Sequence, residues 1–182
     1  LHHMQIAVLI LFATRELGLS AGAIGLVFMF GGAGCMLAAA TAERLNARFG
    51  VGRVIVGALL LTAAGWQFYA LVRGTPPART IMLGLAMLVF VFGAVLYGIT
   101  YLSLRQAITP DRLLGRMTAT MRFLTVASAP VGSLAGGAIA TAIGLRATLW
   151  CVGVSGLVLA ATALWFSPVR RYRELPAASE SA

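Results

Sequence analysis

The chain has 182 residues, of which 60% are hydrophobic and 10% charged, with a formal charge of +9. A soluble domain of this size needs a polar shell that so few charges cannot supply, which excludes an ordinary globular protein. The basic residues are spaced between apolar runs without an aromatic-interleaved patch, so the charge fits anionic lipid head groups and not nucleic acid.

Along the chain, the first apolar piece is Met4 to Thr14. At helical rise it covers only about 16 Å, half of a bilayer core of about 30 Å. It reads as the outer half of a truncated first helix, and the chain then reads as a fragment that begins inside a span. His2 and His3 stand at the extreme N-terminus and read as start-site remnants, leaving no histidine for catalysis or metal binding. Four full runs follow at Ala21–Ala42, Val54–Val72, Thr80–Leu104 and Met117–Leu145 (uncharged from Phe123), and a fifth at Ala147–Phe166. Each must be a helix, because lipid offers the backbone no other hydrogen-bond partner. The expected fold is an all-α membrane bundle of five full helices plus the truncated first, over residues 1–169, with a tail at 170–182. Cys35 and Cys151 lie inside apolar runs and read as buried packing residues.

Arginine supplies every basic residue, and Ala and Gly abound, a composition typical of a GC-rich bacterial genome. Summed over alternate connections, the arginines divide ten against four. The side with ten is cytoplasmic by the positive-inside rule, and it holds the Arg105–Arg116 connection and the C-terminus. The predicted location is a bacterial inner membrane, multi-pass. Within that connection, Thr109 suits an N-cap, Pro110 the first helical position and Asp111 the first turn.

Small residues at four-residue spacing let helices approach closely in lipid. Gly132, Gly136 and Ala140 form one such stripe, and Ala129, Ser133 and Gly137 a second. Gly31, Gly32 and Gly34 form another crowded site. Packing is one reading of these residues; a bend at Pro130 during a functional cycle is the other.

Two connections carry a resemblance. AERLNARFGVGR, residues 42–53, resembles the second copy of the signature loop of the major facilitator superfamily, with Glu43 and Arg44 as its charged pair and Gly50, Gly52 and Arg53 as its close. Ala39 stands where that pattern has its leading glycine. TPDRLLGRMTATMRF, APVGSLAGGAIATAIGLR and SPVRRYRELP together resemble that superfamily's enterobactin-exporter-like and macrolide-efflux-like branch. The resemblance covers nearly the whole chain and aligns it with the C-terminal six-helix half. It implies a secondary transporter, an efflux permease for small amphipathic molecules working by alternating access, whose partner is a missing N-terminal six-helix half. The alternative is a non-transporting membrane subunit or a truncated relic. A membrane-embedded enzyme would need a catalytic constellation within the spans, and none is present. The resemblance implies no cofactor and no metal.

The same resemblance places the first, second, fourth and fifth helices against the substrate cavity. On the fourth, Tyr97, Thr100 and Tyr101, with Ser103, cluster polar groups toward the inner half. The two tyrosines share a face and read either as cavity wall or as an interfacial aromatic belt. Arg122, one to two turns inside the fifth helix, reads either as an anion contact or as a snorkelling residue. Glu43, Arg44, Arg48 and Arg53 read as a conformational latch or as a solvated loop. Trp66 and Gln67 fall on a peripheral helix, which suits packing or lipid contact. No carboxylate lies within a span, so no proton relay is expected in this half; Glu16, at the outer mouth, comes nearest.

Overall fold

The structure, a computed structural model, describes residues 2–166. The predicted tail at 170–182 and the closing SPVRRYRELP segment lie outside them. Six helices follow in order: α1 (His2–Leu11), α2 (Ala21–Phe49), α3 (Val51–Leu71), α4 (Pro76–Ile108), α5 (Asp111–Ile143) and α6 (Leu145–Phe166). A π-helical turn, Phe12–Glu16, continues α1 without a break. The helices α2 to α6 are each long and apolar enough to cross a membrane.

The helix boundaries extend beyond the apolar runs. Glu43 to Phe49 contains neither Gly nor Pro, so α2 stays helical past its apolar run. The predicted loop between α2 and α3 shrinks to Gly50, whose φ of 83° reverses the chain at no steric cost. Gly144, at φ 89°, makes the same one-residue junction between α5 and α6. The Arg105–Arg116 connection likewise narrows to Thr109 and Pro110. Thr109 does not cap α5; its hydroxyl donates back to the Arg105 carbonyl at 2.7 Å, closing α4 instead. Pro110 holds the N-cap position. At 33 residues each, α4 and α5 run about 50 Å, well beyond the apolar core of a bilayer.

The helices pair as α2 with α4, α3 with α4 and α6, and α1 with α5. Close backbone approach at glycine makes these pairs. A Cβ on Gly34 would meet the Leu88 carbonyl oxygen of α4 at 2.5 Å, and one on Gly93 would meet the Thr62 nitrogen of α3 at 2.7 Å. Gly31 also packs on α4, against Met87, whereas Gly32 of the same run has open space around it. Phe12, Tyr69, Leu83 and Leu149 are fully buried where α1, α3, α4 and α6 meet. By contrast, α5 is nearly bare: Phe123, Val126, Val131 and Leu134 are all exposed. Cys35 and Cys151 are exposed as well, correcting their reading as buried thiols. A membrane helix is apolar on every side, so an apolar neighbourhood in sequence does not locate the core.

Candidate functional site

At the Gly50 end of the bundle, Glu43, Arg44 and Arg48 lie on the last turns of α2, and Arg53 lies in the first turn of α3; all four are exposed. They make no ion pair with one another, since Arg146–Glu16 is the single salt bridge among the described residues. The reason is helical spacing. Residues three and four beyond Glu43 are Asn46 and Ala47, while Arg44 points about 100° away on the helix. The four charges thus stand on helix ends instead of in a loop, solvated and unpaired with one another. Arg48 lies over the Phe49 ring at 5.3 Å.

In the C-terminal half of α4, Tyr97 and Tyr101 stack with centroids 5.3 Å apart and planes 10° from parallel. Arg105 continues the ladder, its guanidinium carbon 5.3 Å from the Tyr101 centroid. Tyr97 packs against Val51 and Ile55 of α3 and so is held in the scaffold, whereas Tyr101 keeps open surface. Thr100 is corrected as a cavity residue. It is 1% exposed and accepts a hydrogen bond from Asn46 Nδ2 at 3.1 Å, tying α4 to α2. Ser103 spends its hydroxyl on the Ile99 carbonyl.

On α5, Arg122 is exposed about three turns from the helix start, deeper than the one to two turns expected, because α5 begins at Asp111. The glycine stripe lies against α1. A Cβ on Gly132 would meet His3 Cβ at 3.2 Å, and one on Gly136 would meet Met4 Cγ at 2.8 Å and the Met4 carbonyl oxygen at 2.9 Å. Ala140 is buried in the same line. Gly137, of the second stripe, has nothing within 4 Å. Pro130 is exposed inside a helix assigned without interruption from Asp111 to Ile143.

Trp66 and Gln67 on α3 both pack on α6. The Trp66 ring lies against Gly156 and the Gln67 amide against Gly153. Neither the Trp66 Nε1 nor the Gln67 Oε1 has a hydrogen-bond partner.

Two features escaped the sequence. The first is a clamp at the end of the bundle opposite Gly50. Arg146, in the first turn of α6, donates from Nε to Glu16 at 2.8 Å and from a terminal nitrogen to the carbonyls of Ala70 (2.7 Å) and Val72 (3.1 Å). Its guanidinium also lies over the Phe12 ring at 5.1 Å. One side chain thus joins the π turn after α1 to the end of α3 and the start of α6. Arg79 adds a second tie, donating to the Leu17 carbonyl at 3.0 Å and to that of Gly74 at 2.7 Å. Nothing in the sequence signals these pairings, because the partners are far apart along the chain. The second feature is the position of His2 and His3. Both belong to α1, where the His2 ring meets Phe90 of α4 and the His3 Cβ meets Gly132 of α5.

Comparison with known proteins adds two matches. The family model of the Major Facilitator Superfamily matches residues 3–182. A stretch of 105 residues is 34% identical to the multidrug efflux pump Tap of Mycolicibacterium fortuitum, covering 58% of this chain and 24% of that protein. No solved structure shows a significant match.

Proposed function

Because the chain belongs to the Major Facilitator Superfamily, we propose that it forms one six-helix half of a secondary transporter that exports small amphipathic molecules by alternating access. The observation that carries this reading is the similarity to a multidrug efflux pump. The bare apolar face of α5 agrees with it, since a half that closes a cavity against another half keeps one wall uncovered. The partner is an N-terminal six-helix half, and the open charges Glu43, Arg44, Arg48 and Arg53 reach across to it when the inner side closes. Arg122 and Tyr101 stand on the surface left open on α5 and α4, where a substrate enters from the inner side. Tyr97 backs the Tyr101 ring and fixes its plane.

Efflux assays on the full-length protein test this. Replacing Tyr97 and Tyr101 together by Ala is expected to change the efflux of aromatic compounds by about tenfold, at an unchanged membrane level. Unaltered efflux of every compound by that double variant places the tyrosines outside the site, and a full-length protein that moves no compound in either direction overturns the transporter reading.

The proposed location is a bacterial inner membrane with the inner ends of α2 to α5 in the cytoplasm. Cys35 and Cys151 are exposed, so a labelling test starts from the Cys35→Ser, Cys151→Ser background. In it, Arg112→Cys is expected to resist a membrane-impermeant thiol reagent applied to intact cells, and labelling from outside reverses the topology.

A further inference from the structure

Two ionisable side chains lie at mid-depth in the bundle. The His2 ring of α1 stacks on Phe90 at 5.7 Å between centroids and 27° between planes, and it meets the His3 ring edge-on at 5.3 Å. Phe90 lies near the middle of α4 and is buried against Gly65, Trp66 and Tyr69 of α3. His3 faces the other way, with its Cβ against Gly132 of α5. The pair therefore bridges two helices that line the proposed cavity.

Unsatisfied polar groups accompany it. Gln5, one turn along the same face of α1, is 0% exposed, and neither end of its amide has a hydrogen-bond partner. It lies beside the Tyr69 hydroxyl, which donates instead to Met87 Sδ at 3.0 Å. The buried Trp66 Nε1, against the same Phe90, also has no partner. A buried amide without partners is costly in an apolar interior unless water or a second conformation engages it.

Few other charges face the pair. From α3 the titratable neighbour is Tyr69; α4 offers Arg105 only four turns further in; α5 offers Arg122 no nearer than about three turns from Gly132; and α6 offers Arg146 at the far outer end. Glu16 and Glu43 stand at helix ends. Imidazole is the one side chain that ordinarily changes charge near neutral pH, and an ionisable group inside a membrane marks an ion or proton path.

We propose that His2 is a proton-binding site of this half, with His3 as its neighbouring imidazole and Gln5 as the polar group that receives the water serving it. The His2 ring takes a proton from water on one side of the membrane, forming one N–H bond. It returns that proton to water on the other side after the halves rock, and no electrons are transferred. The inference rests on the transporter reading above, so the test separates the two.

The full-length protein is reconstituted in liposomes as wild type and as His2→Gln, with ethidium as probe. Exchange of ethidium without a pH gradient is expected to stay within about twofold, while accumulation driven by an imposed gradient falls about tenfold or more. Proton uptake by the purified proteins between pH 5 and 8, read with an indicator dye, is expected to fall by about one proton in the variant. Gradient-driven accumulation and proton uptake equal to wild type overturn the proposal. A wild type that moves nothing sinks the transporter reading, and proton uptake then decides the His2 assignment by itself. His3 packs on α5 and its replacement risks the fold, which is why His2 is the position changed. If His2→Gln also fails to fold, nitrogen-15 histidine spectra of the wild type decide. No imidazole of α1 titrating in that range overturns the assignment.

Discussion

Gly136→Leu is expected to destroy the pairing of α1 with α5, while Gly137→Leu, one position along the same helix, leaves the bundle standing. At Gly136 a first carbon already falls 2.8 Å from Met4 Cγ, 2.9 Å from the Met4 carbonyl oxygen and 3.1 Å from Met4 Cα. Two of those three atoms are backbone, so no rotamer change relieves the clash and the helices must separate. Overpacking ordinarily costs about 1–3 kcal/mol, and a rigid backbone neighbour places this site at the upper end. Lipid makes the loss hard to recover, because helix association there depends on close approach and not on expelling water. At Gly137 there is nothing within 4 Å, and the leucine points into open space. Thermal unfolding of the full-length protein in detergent, read by fluorescence size-exclusion chromatography, checks the pair. Equal melting of the two variants would falsify the α1–α5 contact.

Arg146→Ala is expected to cost about 3 kcal/mol, and Glu16→Gln less than about 1 kcal/mol, although the two residues share a salt bridge. The ion pair is partly open to solvent, with side-chain exposures of 26% and 35%. Surface pairs of that kind contribute little. Arg146 also satisfies the Ala70 and Val72 carbonyls at the end of α3, which have no next turn to bond to, and it covers Phe12. Removing it strands those acceptors and frees the π turn that follows α1. Arg146→Lys keeps the charge but cannot fork toward a carboxylate and two carbonyls, so it is expected to recover less than half of the loss. Melting temperatures of the three variants decide the matter, and a Glu16→Gln effect as large as that of Arg146→Ala would assign the stability to the ion pair alone.

Much of this protein is determined locally. A bilayer of fixed thickness demands about 20 apolar residues per crossing, and the chain supplies five such runs, so the five full helices were legible before any folding. Ser20, just before Ala21, caps α2 from its own side chain, its hydroxyl accepting from the Ala23 nitrogen. The family signature was equally local, because it resides in the order of charges and glycines along the chain.

The sides of those helices were not legible. Cys35 and Cys151 lie among apolar residues yet face outward, and Thr100 lies in a polar cluster yet faces inward. In water an amphipathic pattern tells a helix which way to turn, but a helix in lipid is apolar all round and carries no such label. The side each residue faces was decided by where two glycines allow two backbones to meet, at Gly34 against Leu88 and Gly136 against Met4. Only that packing set the His2 ring on Phe90 and the His3 Cβ against Gly132. Only it brought Arg146 to Glu16, because a polar group excluded from water takes whatever partner the tertiary fold provides, however distant in sequence.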